Sequence, residues 1–163
     1  MDLYTARRIR SEGKHEDART MLADLAQQLP GDALVQYEAA CVHDFLGLEA
    51  AAIPFYSAAL EAGLPPSTRR CALVGLGSTY RTLGMFNQAE RTLLAAKAEF
   101  ADANEVEIFF AMTRHNLGKS KEAVEALLRL LVETSRDESI QAYSRAIALY
   151  AENIDRTWPA GDA

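Results

Sequence analysis

The chain has 163 residues, a formal net charge of −6 and a composition that is 49% hydrophobic. That apolar content excludes wholesale disorder, and the length suffices for one domain with a substantial core or for a short repeat array. The acidic balance disfavours a phosphate backbone as ligand and no apolar run approaches the roughly 20 residues a membrane helix needs, so neither nucleic acid nor membrane is an expected partner.

The opening stretch, MDLYTARRIRSEGKHEDA, carries charges where a signal peptide needs an apolar segment, and the expected location is the cytoplasm. Its cations Arg7, Arg8 and Arg10 have Glu12, Glu16 and Asp17 nearby to match them. From here one signature recurs, a glycine followed five residues later by an alanine: Gly13 with Ala18, Gly47 with Ala52, Gly84 with Ala89 and Gly118 with Ala123. Successive glycines are 34, 37 and 34 residues apart. Each glycine is expected to end one helix, and the alanine to sit on the inward face of the next. Nine residues after the glycines stand Leu22, Tyr56, Leu93 and Leu127, and three further on Leu25, Ala59, Ala96 and Leu130, a stripe at helical spacing.

The extra residues between the second and third glycines fall in LEAGLPPSTRR, where Gly63, Pro65 and Pro66 mark a lengthened turn and Ser67 is the expected N-cap. Pro54, close to Ala52, is expected within the first turn of its helix, where its missing N–H has no partner to lose. After the fourth unit, SRDE at 135–138 has the spacing of a capping box. Ile140, Tyr143, Ile147, Tyr150 and Ile154 then describe one more amphipathic helix over 138–155, expected to cap the array or to meet another chain. The tail over 157–163 has proline, glycine and no periodicity, and is expected to be flexible or to dock weakly through Trp158.

Reactive chemistry is sparse. Cys41 and Cys71 lack the neighbours of a zinc site or a disulfide framework, and His15, His43 and His115 lie in different units without partners suited to a triad. Glu16 with Asp17, and Glu122 with Glu125, are expected on solvent-facing sides of second helices. No catalytic residue, metal site or cofactor is expected.

The most complete unit is LVGLGSTYRTLGMFNQAERTLLAA, residues 73–96, in which Leu76, Gly77 and Tyr80 precede the turn glycine Gly84 and Ala89, Leu93 and Ala96 follow it. It resembles the tetratricopeptide repeat, whose period is about 34 residues. Gly77 and Ala89 let paired helices approach closely while Tyr80 and Leu93 fill the space beside them. The other first helices are less regular, with Thr5, Ala6 and Ile9, then Ala39, Ala40 and His43, then Phe110, Ala111 and Arg114 at the corresponding places. A run of AALEAGL followed by GSTYRTLG is also similar to small bacterial proteins of this family. The resemblance implies an all-α, right-handed superhelix of four helix-turn-helix units, over about 1–31, 32–65, 66–102 and 103–136, plus the C-terminal helix, in a single domain spanning 1–156.

The resemblance further implies that the first helices line a concave groove where ligands lie. Three residues before the turn glycines this series is Arg10, Asp44, Arg81 and His115; six before, it is Arg7, Cys41, Ser78 and Met112. Tyr4, Tyr37, Val74, Ile108 and Phe109 add apolar and aromatic surface. The candidate binding residues are therefore Arg7, Arg10, Tyr37, Cys41, Asp44, Arg81, Phe109, Met112 and His115, with Arg81 or Arg7 available for a carboxylate and Asp44 placed to pair with Arg81. The positions used by chaperone-binding members to hold a terminal carboxylate are here Leu3, Arg7, Glu38, Cys71 and Gly75, of which only Arg7 fits. The expected function is a non-enzymatic adaptor that holds a protein or peptide segment in this groove. The alternative is a self-associating protein, a homodimer formed through the groove or the last helix.

Overall fold

The structure is a computed structural model that describes residues 2–158. Ten helices and no strand occur among the described residues. They fall into two compact units, residues 1–101 and 102–163, where the repeat pattern predicts one domain over 1–156. The first holds α1 (Leu3–Ser11), α2 (His15–Gln28), α3 (Ala33–Phe45), α4 (Glu49–Ala62), α5 (Pro66–Thr82) and α6 (Phe86–Glu99). The second holds α7 (Asn104–Asn116), α8 (Ser120–Thr134), α9 (Glu138–Ala142) and α10 (Ser144–Tyr150).

Turns fall where the repeat places them. Gly13, Gly47, Gly84 and Gly118 all lie in the left-handed region, with φ between 72° and 81°, which glycine adopts without the steric penalty a Cβ brings. The residue after the glycine donates back to the preceding helix, as Met85 does to the Tyr80 carbonyl at 2.8 Å, and this closes each helix end. Gly63, at φ 92°, opens the longer connection between α4 and α5. That helix starts at Pro66 with Pro65 at the cap position, so Ser67 is inside the first turn instead of capping it. Pro54 lies two positions beyond the first turn of α4; it and Ala50, whose carbonyl loses an N–H partner, are both exposed, so water can take the bond.

In the first unit small residues sit where helices cross. Ala6, Ala18, Leu22, Val35, Ala39 and Val42 form one buried cluster, and Ala40, Ala52, Tyr56, Ala59, Ala72 and Leu76 form the next. A Cβ on Gly77 would lie 2.7 Å from Cγ of the fully buried Leu93, so α5 and α6 touch through a backbone that only glycine provides. Gln36 is buried and donates to the Ala26 carbonyl at 3.0 Å, tying α3 to the end of α2. At the far side, both Glu99 oxygens accept from Arg69 Nε at 2.8 and 2.9 Å.

In the second unit Val106, Phe110, Ala111 and Ala123 are buried between α7 and α8. Leu127, in the same stripe as the fully buried Leu22 and Leu93, is 37% exposed. Glu125 is buried, not solvent-facing: its Oε1 accepts the Ile154 N–H at 3.0 Å as the chain after α10 folds back on α8. The expected helix over 138–155 is broken at Tyr143 into α9 and α10, and Asp137, accepting from the Ser139 and Ile140 N–H groups, caps α9 where Ser135 was the expected cap. Trp158 is half exposed with its ring 5.8 Å from that of Tyr150. The rest of the predicted tail, 159–163, lies outside the described residues.

Candidate functional site

Helices α1, α3 and α5 are neighbours in the first unit, so residues a repeat apart in sequence come together in space. Between α1 and α3 lies a cavity of about 430 Å³ lined by Arg7, Arg10, Ser11, His15, Glu38, Cys41 and Phe45. Glu38 is its anchor. Its carboxylate is buried and accepts from Arg7 Nε at 2.7 Å and from Arg10 at 2.6 Å, one arginine on each oxygen. These two arginines are therefore not matched by Glu12, Glu16 or Asp17 as expected; of the three α1 cations only Arg8 pairs with Glu12.

The arrangement preserves binding capacity. Each guanidinium carries five N–H donors and uses one or two on Glu38, and the side chains are 47% and 36% exposed. The three ionised groups leave one net positive charge at the cavity. His15, the first residue of α2, packs its ring against Phe45 with centroids 4.2 Å apart, and its buried Nδ1 has no hydrogen-bond partner. The cavity thus offers oriented cations and an aromatic edge.

Beside it, under the surface of α3, runs a polar network. Asp44 accepts from Thr79 Oγ1 at 2.9 Å and from Tyr56 at 3.2 Å, and Tyr56 also reaches Cys41 Sγ at 4.0 Å. Asp44 is thus paired with hydroxyls of α4 and α5, while Arg81 is on the last turn of α5. Burial pushes the Asp44 carboxyl above its ordinary value, against the lowering effect of the Thr79 and Tyr56 hydrogen bonds. Burial likewise raises the Cys41 thiol and the Tyr37 and Tyr56 phenols. A raised thiol stays protonated, so Cys41 is a packing and hydrogen-bonding group and not a nucleophile.

The Asp44 shift has a measurable sign. A carboxyl with a raised folded-state pKa binds its proton more tightly when folded, so its stabilisation is complete below the unfolded value near 3.8 and is lost as pH rises through the folded value. Asp44→Asn removes this slope while keeping an acceptor for Thr79. The expected result is that the variant gains on the wild type in urea midpoint as pH rises above the unfolded value near 3.8; a constant difference would contradict the assignment.

Of the nine predicted binding residues, Arg7, Arg10 and Cys41 line one cavity. Tyr37 and Asp44 lie beneath the same face, Tyr37 with its ring 6.4 Å from that of Tyr56. Phe109, Met112 and His115 are in the second unit, where His115 Nδ1 lies 2.9 Å from Ser120 Oγ. Glu38, His15 and Phe45 were not among the predicted set. Glu38 had one local signal, as the single charge in the otherwise largely apolar run ALVQYEAACV. Among the described residues no cluster of acidic, histidine or cysteine side chains could hold a metal ion, and no helix is long and apolar enough to cross a membrane.

No curated protein matches this sequence. Among solved structures, the chain is similar to the crystal structure of YrrB, a TPR protein with an unusual peptide-binding site, at 20% identity and a TM-score of 0.68, covering 92% of this chain and 76% of that one. That likeness shows the superhelical repeat fold. The family model for the tetratrico peptide repeat matches residues 33–154. Repeat solenoids of this kind present extended surfaces to protein partners. With ten helices, turn glycines in register and a family match over most of its length, the chain belongs to the tetratricopeptide repeat family.

Proposed function

We propose that the protein is a non-catalytic interaction module whose α1 and α3 face docks a protein segment carrying carboxylates. The observation that supports this most is the Glu38-centred pair of arginines. A buried carboxylate fixes both guanidinium forks at a cavity while taking one donor from each, and both side chains stay partly exposed. Preorganised forks of this kind lose little freedom on meeting a carboxylate, and charge-assisted bonds to Arg are among the stronger polar contacts. Phe45, stacked on the His15 ring and 67% exposed, gives the aliphatic part of an acidic side chain something to pack against. Tyr4, 79% exposed, extends the face beside Arg7 and Arg8.

The direct test uses fluorescence anisotropy with a labelled Glu-rich peptide and its counterpart in which every Glu is Gln. The acidic peptide should bind, and binding should weaken as salt is raised, since the contacts at the mouth are open to water. Equal binding of the two peptides, or binding of neither, would overturn the reading.

A further inference from the structure

The outer surface of α9 and α10 has the makings of an interface with a second copy of this chain. Inward, Ala151 just after α10 is fully buried, and Arg129 of α8 donates to its carbonyl to hold the end of α10 in place. Outward lies a trough of about 650 Å³ whose walls include Ala142, Tyr143, Ala146 and Leu149. Tyr143 is 69% and Leu149 45% exposed, a high exposure for apolar groups on a helix surface. Ala142 and Ala146, four residues apart, keep the floor of the trough low enough for another helix to approach.

Charge tells what fits there. Arg145 and Glu152 line the same trough, seven residues apart and so about two helical turns or roughly 10 Å from each other. Among the described residues neither side chain has a hydrogen bond or an ion-pair partner. A surface with a cation at one end, an anion at the other and apolar groups between is complementary to itself turned end for end. A two-fold axis through the trough satisfies both charges at once, because an isologous contact repeats every pairing.

We propose that the chain forms an antiparallel homodimer through α10, with Arg145 of each protomer on Glu152 of the partner subunit and Tyr143 and Leu149 packed across the axis. This surface shares no residue with the α1 and α3 cavity.

Sedimentation equilibrium tests it directly. The wild type should pass from monomer to dimer as concentration rises over about 1 to 500 µM. Arg145→Glu and Glu152→Arg should each weaken the dimer by about tenfold or more, since each converts two attractive pairs into two repulsive ones. Combining both substitutions in one chain should restore self-association. An equimolar mixture of the two single variants should also dimerise, as every pair across the axis then has opposite signs. Both residues are exposed, so circular dichroism and, at concentrations where the wild type is monomeric, the unfolding midpoint of each variant should match the wild type, which separates interface from folding effects. A wild type that stays monomeric throughout overturns the proposal, as does dimerisation that is indifferent to the single reversals or not recovered in the mixture.

Discussion

Leu93→Ala should lower stability by about 2–5 kcal/mol, because Leu93 is fully buried at the crossing of α5 and α6 and its removal leaves a cavity that rigid helices close only in part. The more informative experiment adds Gly77→Ala. In the wild type the new Cβ would lie 2.7 Å from Leu93 Cγ and 2.9 Å from Cδ2, closer than side chains tolerate, so the substitution overpacks the crossing. In the Leu93→Ala background those atoms are gone. There the same methyl enters space and brings the roughly 1 kcal/mol by which alanine exceeds glycine as a helix former. Urea unfolding of the four proteins should therefore show strong coupling, with Gly77→Ala more favourable in the truncated background. The same change in midpoint in both backgrounds would show that Gly77 and Leu93 do not share the crossing.

Arg10→Ala should weaken binding of an acidic peptide by about 1.5–3 kcal/mol, a factor of ten to a hundred or more, through loss of a charge-assisted hydrogen bond. Glu38 would keep Arg7 as a partner, so the anchor is not stranded. Arg91→Ala is the matched control: it makes the same change in net charge, but its guanidinium lies on exposed α6, where Nε bonds to the Asn87 carbonyl of its own helix. If the two variants lose equal affinity, attraction is a matter of overall charge and the cavity is not the site. If only Arg10→Ala loses it, the forks held by Glu38 make the contact.

The features legible in the sequence are those a local spacing can carry. A turn that needs positive φ selects glycine, so Gly13, Gly47, Gly84 and Gly118 announced the repeat and its phase. A helix crossing needs a small residue facing a large one, so the spacing alone places Gly77, Ala89 and Leu93. Charge pairing is different. Glu38 meets Arg7 and Arg10 across 31 and 28 residues, while nearer carboxylates offer a plausible but wrong match for them. The hydroxyls that Asp44 accepts from, on Tyr56 and Thr79, likewise carry no periodic signal. The end of the array departs most from the pattern. With no further repeat unit packed on α8 among the described residues, Leu127 is left partly exposed, Glu125 is drawn in to accept the Ile154 N–H, and the last predicted helix breaks at Tyr143.

NMR titration of the isotope-labelled chain with the Glu-rich peptide shows whether the α1 and α3 cavity receives the carboxylates of a protein segment. Saturable shifts should concentrate at the Arg7 and Arg10 side-chain N–H groups, the His15 ring and Phe45, with the Gln counterpart leaving them unmoved. Shifts confined to residues of the second unit, or spread evenly over the surface, would contradict it.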